Sequence, residues 1–493
     1  MSIKMKNIFV KLSKHSFIRI YDEGKLGYIL NQRTELDRVY NDIGADFLSQ
    51  ITRTPRSLYE IVNSLLGIYK NVSREAISND FLSFIEELHK YGFVEVAESI
   101  NLFAVNEIPN QEVVLSETHK KENPDNQEKK SSRYFWFKHD ATNPILRTLH
   151  VELTSKCNER CIHCFIPSSA KDVGVNMSLE HFKTIVDQFR EMGGLSITLS
   201  GGEPILNKNV PEMLSYCRQK DLRISLFSNL LAINDNLIQV MKDVNMSNVQ
   251  VSLYSIDSSI HDEITQIKGS FEKTFSAIER LKENDIPVTI SCPLMKTNKD
   301  TMGQLIKFAR SKNIFVKPDY IIMAQSNFDK TNLANRMSIE ETEKALRDII
   351  ENDIEGIHIQ ESNASLIQEE DYQELPLCSA ATHTLCISAN GNVSPCVTLT
   401  GIIAGNVYKQ SLMEIWNTSE KLKLIRSLRQ RHFQKCISCE AKKYCKMCMG
   451  QNYNESGGDI FKINKHFCDV AFLTKQIIEK YNYKQSNCVS DAI

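Results

Sequence analysis

From residue 149 to 322, short apolar runs alternate with longer segments in which apolar side chains recur every three or four residues. The runs LHVEL (149–153), LSITL (195–199), RISLFS (223–228), VQVSL (249–253), PVTISC (287–292) and FVKPDYII (315–322) predict strands. SLEHFKTIVDQFREMG and SFEKTFSAIERLKEN, lying between them, predict amphipathic helices. This repetition implies an α/β domain with a parallel sheet, open or closed into a barrel. Such sheets bind ligands beyond the carboxyl ends of their strands. TSKC, SGGEP and SNL each begin where a predicted strand stops, so three candidate site loops share one rim.

The N-terminal pattern differs. FIRI (17–20), GYILN (27–31) and DRVYNDI (37–43) predict three strands, followed by helices in GADFLSQI, SLYEIVNSLLGIYK and REAISNDFLSFIEELHKYG. In the last, Ile77, Phe81, Phe84, Ile85 and Leu88 share a face and Gly92 is placed as its C-cap. SETHKKENPDNQEKKSSR (116–133) has no apolar side chain and predicts a solvated linker. The aromatic run YFWF (134–137) is expected to pack onto the following domain. Boundaries are set at 1–98 for the module, 99–144 for the linker, 145–350 for the α/β domain, 351–475 for a Cys-rich domain and 476–493 for a tail.

Composition narrows the partners. Lys plus Arg number 59 against 61 Asp plus Glu, a net charge of -2, which argues against a nucleic-acid or membrane-binding surface. The basic start MSIKMKNIFVKLSK leads into no apolar h-region, and no apolar run approaches the roughly 18 residues of a membrane helix. The expected location is the cytoplasm. There, 14 cysteines are poor candidates for disulfides and better ones for metal ligands.

In TSKCNERCIHCF, Cys157, Cys161 and Cys164 stand at x3 and x2 spacing. Structural zinc takes four closed ligands, usually as separated pairs. His163 adjoins Cys164 and is poorly placed to fold back as the fourth. A cubane 4Fe-4S cluster held by three thiolates leaves one iron open to a substrate or cofactor.

This loop after the first strand, with LSGGEP (199–204) after the second, resembles the radical S-adenosylmethionine (radical SAM) enzymes over roughly residues 145–350. The resemblance implies a partial (β/α)6 TIM-like barrel, with Cys157, Cys161 and Cys164 as ligands of a cluster whose open iron chelates S-adenosylmethionine. One electron then splits the sulfonium to give a 5'-deoxyadenosyl radical. Carried over, Gly201, Gly202 and Glu203 hold the methionyl amine, with Pro204 and His163 beside the cofactor. Glycines let backbone carbonyls approach, and a carboxylate pairs with an ammonium. Asn229 and Ser252, at strand ends, are candidate contacts to the cofactor's carboxylate or ribose; a turn residue and a strand-end cap are the competing readings. SNL also departs from the family's more usual TNG.

The C-terminal third holds Cys378, Cys386 and Cys396, then Cys436-x2-Cys439-x5-Cys445-x2-Cys448 and Cys468. On spacing alone these would fit zinc ribbons. After a radical SAM loop they resemble the SPASM extension, a Cys-rich iron-sulfur domain with two auxiliary 4Fe-4S clusters, making three clusters in all. The resemblance assigns Cys378, Cys386, Cys396 and Cys448 to one cluster and Cys436, Cys439, Cys445 and Cys468 to the other. CKMC has two residues in a gap where the family usually has three, which leaves the sharing open. Cys386 is alternatively a buried free thiol, leaving that cluster an open iron. Cys217 and Cys292 sit in apolar surroundings and predict core residues, while Cys488 lies in the tail.

Three strands followed by three helices suit a winged-helix-like α+β module, but no Lys/Arg stripe marks a nucleic-acid reader. Residues 10–98 resemble the PqqD-like elements that bind leader peptides by strand addition, here at about 36–43 and 74–91. The implied enzyme is a radical SAM/SPASM peptide maturase. It abstracts a hydrogen from a ribosomally made precursor peptide and forms a thioether crosslink of the sactipeptide or ranthipeptide type. An electron donor such as flavodoxin or ferredoxin would serve it. Carbon-carbon cyclisation, epimerisation and formylglycine formation stay open, as does a non-catalytic zinc or iron-sulfur regulator. No residue can be named as general base or radical relay from the sequence.

Overall fold

The structure, a computed structural model, describes residues 8–105, 132, 135–167, 169, 174–352, 372–445 and 447–490. The linker stretch 116–131 and residue 133 lie outside the described residues. The chain divides into two compact units, residues 1–136 with 221–223, and 137–220 with 224–493.

In the first unit, strands β1 (Phe9–Leu12), β2 (Ser16–Tyr21), β3 (Leu26–Asn31), β4 (Asp37–Asn41), β5 (Arg56–Ser57) and β6 (Val94–Ala97) form two three-stranded sheets, ordered β2-β3-β4 and β5-β1-β6. The first sheet follows the sequence expectation. The second does not, because its strands are only two to four residues long and pair across the whole module. Three helices follow, α1 (Ile43–Ser49), α2 (Leu58–Ile68) and α3 (Arg74–Lys90). Ser57 and Glu60 form a capping box at the start of α2, and the Ser73 hydroxyl accepts the Ala76 N–H at the start of α3. Ile77, Phe81, Ile85 and Leu88 of α3 are buried and Phe84 half-buried, as the pattern predicts. Beyond the helix Gly92 adopts φ +72° while the Phe93 N–H bonds the Leu88 carbonyl, closing the C-terminus as a glycine can. The aromatic run corrects one expectation. Trp136 packs edge-on against Tyr21 and Tyr28, with ring centroids 5.8 and 5.2 Å apart, and so completes the small N-terminal module.

The second unit is built on one nine-stranded sheet. Strands β7 (Thr148–Thr154), β8 (Ser196–Gly201), β9 (Arg223–Ser228), β10 (Asn248–Ser252), β11 (Val288–Pro293) and β12 (Phe315–Asp319) are parallel neighbours in that order. β13 (Thr384–Ile387) adds in parallel to the free side of β7, and β14 (Asn392–Ser394) and β15 (Gly405–Asn406) follow antiparallel. Among the described residues the sheet is open, with β12 and β15 as its edges. Helices cover the face that carries Leu149, Val151, Leu153, Leu199, Leu226 and Val251, all fully buried. Cys217 and Cys292 join this core, as predicted. The opposite face is polar, with His150 and Glu152 on β7 and Ser200 on β8.

β13 joins the Cys-rich region to the parallel sheet. Arg147 and His383, just ahead of β7 and β13, both bond the buried carboxylate of Asp140. A helix over Lys465–Ser490 runs on through residues expected as tail; the Cys488 side chain lies outside the described residues. Among the described residues no helix is long and apolar enough to cross a membrane.

Candidate active site

The three predicted loops meet at the carboxyl end of the sheet. Thr154 ends β7, and its hydroxyl bonds Asn176 and the Val175 carbonyl while accepting the Lys156 N–H. The chain next to it is the SGGEP turn: the Gly202 N–H donates to the Thr154 carbonyl (2.8 Å) and the Glu203 N–H to the Lys156 carbonyl (2.7 Å). Gly201 adopts φ +135°, and a Cβ there would meet the Thr154 carbonyl oxygen at 2.2 Å; one on Gly202 would meet that of Lys156 at 2.2 Å. Both glycines are therefore required by the contact between the two loops.

The Cys loop is tied down along its length. The Arg160 and Ile162 N–H groups donate to the Thr265 and Ile264 carbonyls, each at 3.0 Å. Asn332 Nδ2 bonds the His163 carbonyl (3.2 Å) and Asn335 Nδ2 the Ile162 carbonyl (3.0 Å). Arg336, next in sequence, makes an ion pair with Glu455 of the Cys-rich domain. Cys157, Cys161 and Cys164 are all half-buried. Cys161 Sγ lies 3.3 Å from Glu159 Oε2 and 3.6 Å from the Tyr254 hydroxyl. Burial pushes the Cys161 thiol up, and the charges of Glu159 and Cys164 add to the effect.

Glu203 is 1% exposed. Its carboxylate accepts from the Ser228 hydroxyl (2.6 Å), the Asn229 N–H (2.7 Å) and the Ile205 N–H (3.2 Å). Burial pushes this carboxyl up to about 7, against the lowering effect of those bonds. Its partners are thus groups of its own fold, binding β8 to the end of β9. Pro204, buried, starts the short helical turn that follows. Asn229 Nδ2 reaches Asn158 in the Cys loop at 2.8 Å, and the Asn229 Oδ1 accepts the Leu231 N–H. Ser252 ends β10, and two residues on the Tyr254 ring packs against the His163 ring with centroids 4.9 Å apart.

The later cysteines fall into two neighbourhoods. Burial pushes Cys378 up to about 12, with the charges of Cys396 and Cys448 adding. Thr398 Oγ1 lies 3.0 Å from Cys396 Sγ and 3.8 Å from Cys448 Sγ. Cys386 is 1% exposed, and the charges that act on it are those of Glu152 and Cys396. Burial likewise pushes Cys436 and Cys445 up to about 11, with Cys468 and Cys439 close to both. Among the described residues no three His, Cys, Asp or Glu side chains are arranged to hold a single metal ion.

Sequence patterns did not single out Tyr254, Glu159, Asn332, Asn335 or Thr398. The one available signal was TNLANR, in which two asparagines three apart stand in a short loop.

Comparison with known proteins fits this arrangement. The Radical SAM superfamily profile matches residues 151–309, the iron-sulfur cluster-binding SPASM domain residues 378–449, and the coenzyme PQQ synthesis protein D (PqqD) profile residues 30–94. The chain is a radical SAM enzyme with a SPASM domain and a PqqD-like element. This radical SAM/SPASM enzyme is 24% identical over 330 residues to the AdoMet-dependent heme synthase of Methanosarcina barkeri, covering 63% of this chain and 93% of that one. It is 25% identical over 279 residues to the PqqA peptide cyclase of Xanthomonas euvesicatoria pv. vesicatoria, covering 55% and 74%. In fold it resembles Streptococcus suis SuiB bound to precursor peptide SuiA, with a TM-score of 0.58 at 16% identity over 90% of this chain and 97% of that one. The radical SAM and SPASM domains bring S-adenosylmethionine and iron-sulfur clusters as its cofactors.

Proposed function

We propose that this radical SAM/SPASM enzyme matures a ribosomally made precursor peptide, forming a thioether crosslink after hydrogen abstraction. The observation that carries the reading is a PqqD-like element on the same chain as a Cys loop zipped to an SGGEP turn. Relatives named as peptide cyclases and the fold shared with SuiB support a peptide substrate. Other relatives are named heme synthases; the PqqD-like element favours a peptide over a macrocycle.

Three half-buried thiols on one constrained loop suit a cubane with an open iron. In this reading Cys157, Cys161 and Cys164 hold the S-adenosylmethionine-binding cluster. Cys378, Cys396 and Cys448, with Cys386, serve one auxiliary cluster, and Cys436, Cys439, Cys445 and Cys468 the second. When bound and reduced, the first cluster supplies the electron that cleaves S-adenosylmethionine. The chain's own groups do the positioning. The Gly201–Glu203 backbone, with Pro204 behind it, offers carbonyls to the methionyl ammonium, while the Glu203 carboxylate keeps β8 and β9 in register. Asn229 and His163 line the same rim, with Ser252 at the end of β10. Among the described residues β4 is an edge strand whose Arg38 and Tyr40 face α3, where Tyr40 packs on Phe84 at 5.0 Å; a leader strand added there would seat side chains along α3. Tethering then makes the encounter with the core peptide intramolecular. A flavodoxin or ferredoxin in the cytoplasm would supply electrons.

Incubating the reduced holoenzyme with its precursor and S-adenosylmethionine tests this. A product lighter by two hydrogens per bond, fragmenting as a thioether, is expected; unchanged mass would remove the crosslinking assignment.

A further inference from the structure

Tyr254 lies just past β10 and is 4% exposed. His163 and His261 pack on its ring, with centroids at 4.9 and 5.4 Å. Its carbonyl accepts from Asn298 Nδ2 at 2.9 Å, so backbone and ring are both held. The hydroxyl points at Cys161 Sγ, 3.6 Å away. Between a thiol and a phenol, either group can donate. A sulfur bound to iron has lost its proton, so only the Tyr254 O–H remains a donor.

We propose that Tyr254, held by its ring neighbours His163 and His261, donates a hydrogen bond to the Cys161 sulfur and thereby raises the reduction potential of the cluster on that loop. The inference rests on reading Cys161 as a cluster ligand. A one-electron reduction adds negative charge that spreads onto the thiolates. A donor aimed at one of them therefore stabilises the reduced form more than the oxidised one. Glu159 has the opposite sense: its carboxylate accepts from the Cys161 thiol and would only repel a thiolate. The phenol thus offsets an unfavourable neighbour in a buried setting.

The test uses the full-length holoenzyme, reconstituted without oxygen, with the midpoint potential followed by EPR on the signal that changes when S-adenosylmethionine is added. Tyr254→Phe keeps the ring and removes the hydroxyl. Its midpoint is expected at more negative potential, and pulsed EPR after exchange into D2O should lose one deuteron coupled to the cluster. Incorporating 3-fluorotyrosine at position 254, whose O–H is the stronger donor, is expected to move the midpoint to more positive potential, and decides the matter should Tyr254→Phe take up no cluster. With the loop cluster intact, an unmoved or more positive midpoint in Tyr254→Phe, or an unmoved or more negative one with the fluorotyrosine, overturns the hydrogen bond alone. Absence of any such cluster in the unmutated protein overturns the ligand assignment and this inference together.

Discussion

Arg147 donates from both terminal nitrogens to both oxygens of Asp140, at 2.6 and 2.7 Å, with each residue under 10% exposed. His383 bonds the same carboxylate at 2.8 Å. Since Arg147 leads into β7 and His383 into β13, one carboxylate braces the junction of the radical SAM sheet with the SPASM domain. Removing it leaves a buried guanidinium without the carboxylate that balances its charge. Asp140→Asn should therefore lower stability by about 3 kcal/mol, measured by urea denaturation. Burial opposes the charge on Asp140, yet the His139 ring 3.8 Å away and bonds from His383 and Arg147 hold its carboxyl well below the usual carboxylate range. A depressed carboxyl stabilises the fold above its unfolded value of about 4 and loses that stabilisation only as the pH falls through the lower folded value. The gap between wild type and Asp140→Asn should be constant at neutral pH and close only in acid below about pH 4; a gap that closes near pH 6 would contradict the assignment.

Gly202→Ala adds a methyl group to a space where the Lys156 carbonyl oxygen already stands at 2.2 Å. That oxygen is backbone and belongs to the Cys loop, so the loop must move. The expected result is loss of the loop cluster alone, with iron falling from about twelve to about eight per chain. A variant with full iron and normal S-adenosylmethionine affinity would show that the contact is dispensable.

Glu203→Gln keeps one acceptor oxygen and replaces the other with a donor facing the Asn229 or Ser228 group. A buried donor-donor clash of this kind costs about 1–3 kcal/mol. The dissociation constant for S-adenosylmethionine should rise roughly tenfold, read by equilibrium dialysis with the clusters in place. An unaltered constant would detach the carboxylate from the geometry of the site.

Phe84 and Tyr40 define the space between β4 and α3, and Phe84 is only half-buried. Phe84→Asp should weaken binding of the precursor's leader at least roughly tenfold, measured by calorimetry. Equal affinity in the variant would move the leader elsewhere.

Much of this was legible in the chain. RISLFS matches β9 residue for residue, because both strand faces show in a period of two. The Cys loop and SGGEP fell on neighbouring strand ends, because in a parallel sheet successive strands stop on the same side. What stayed hidden was long-range and polar. Asn332 reaches His163 across 169 positions and His383 reaches Asp140 across 243, and such pairs leave no local period. β1, β5 and β6 are too short to show alternation, and Trp136 found its partners in rings more than 100 positions earlier in the chain. The SGGEP turn was legible beyond a strand end, but the partners of the Glu203 carboxylate were not.

The most direct measurement is made on oxygen-protected, reconstituted protein given S-adenosylmethionine and dithionite. Formation of 5'-deoxyadenosine, abolished when Cys157, Cys161 and Cys164 are replaced by Ala, together with about twelve irons per chain, is the predicted result. Bound zinc in place of iron, with no 5'-deoxyadenosine formed, would contradict it.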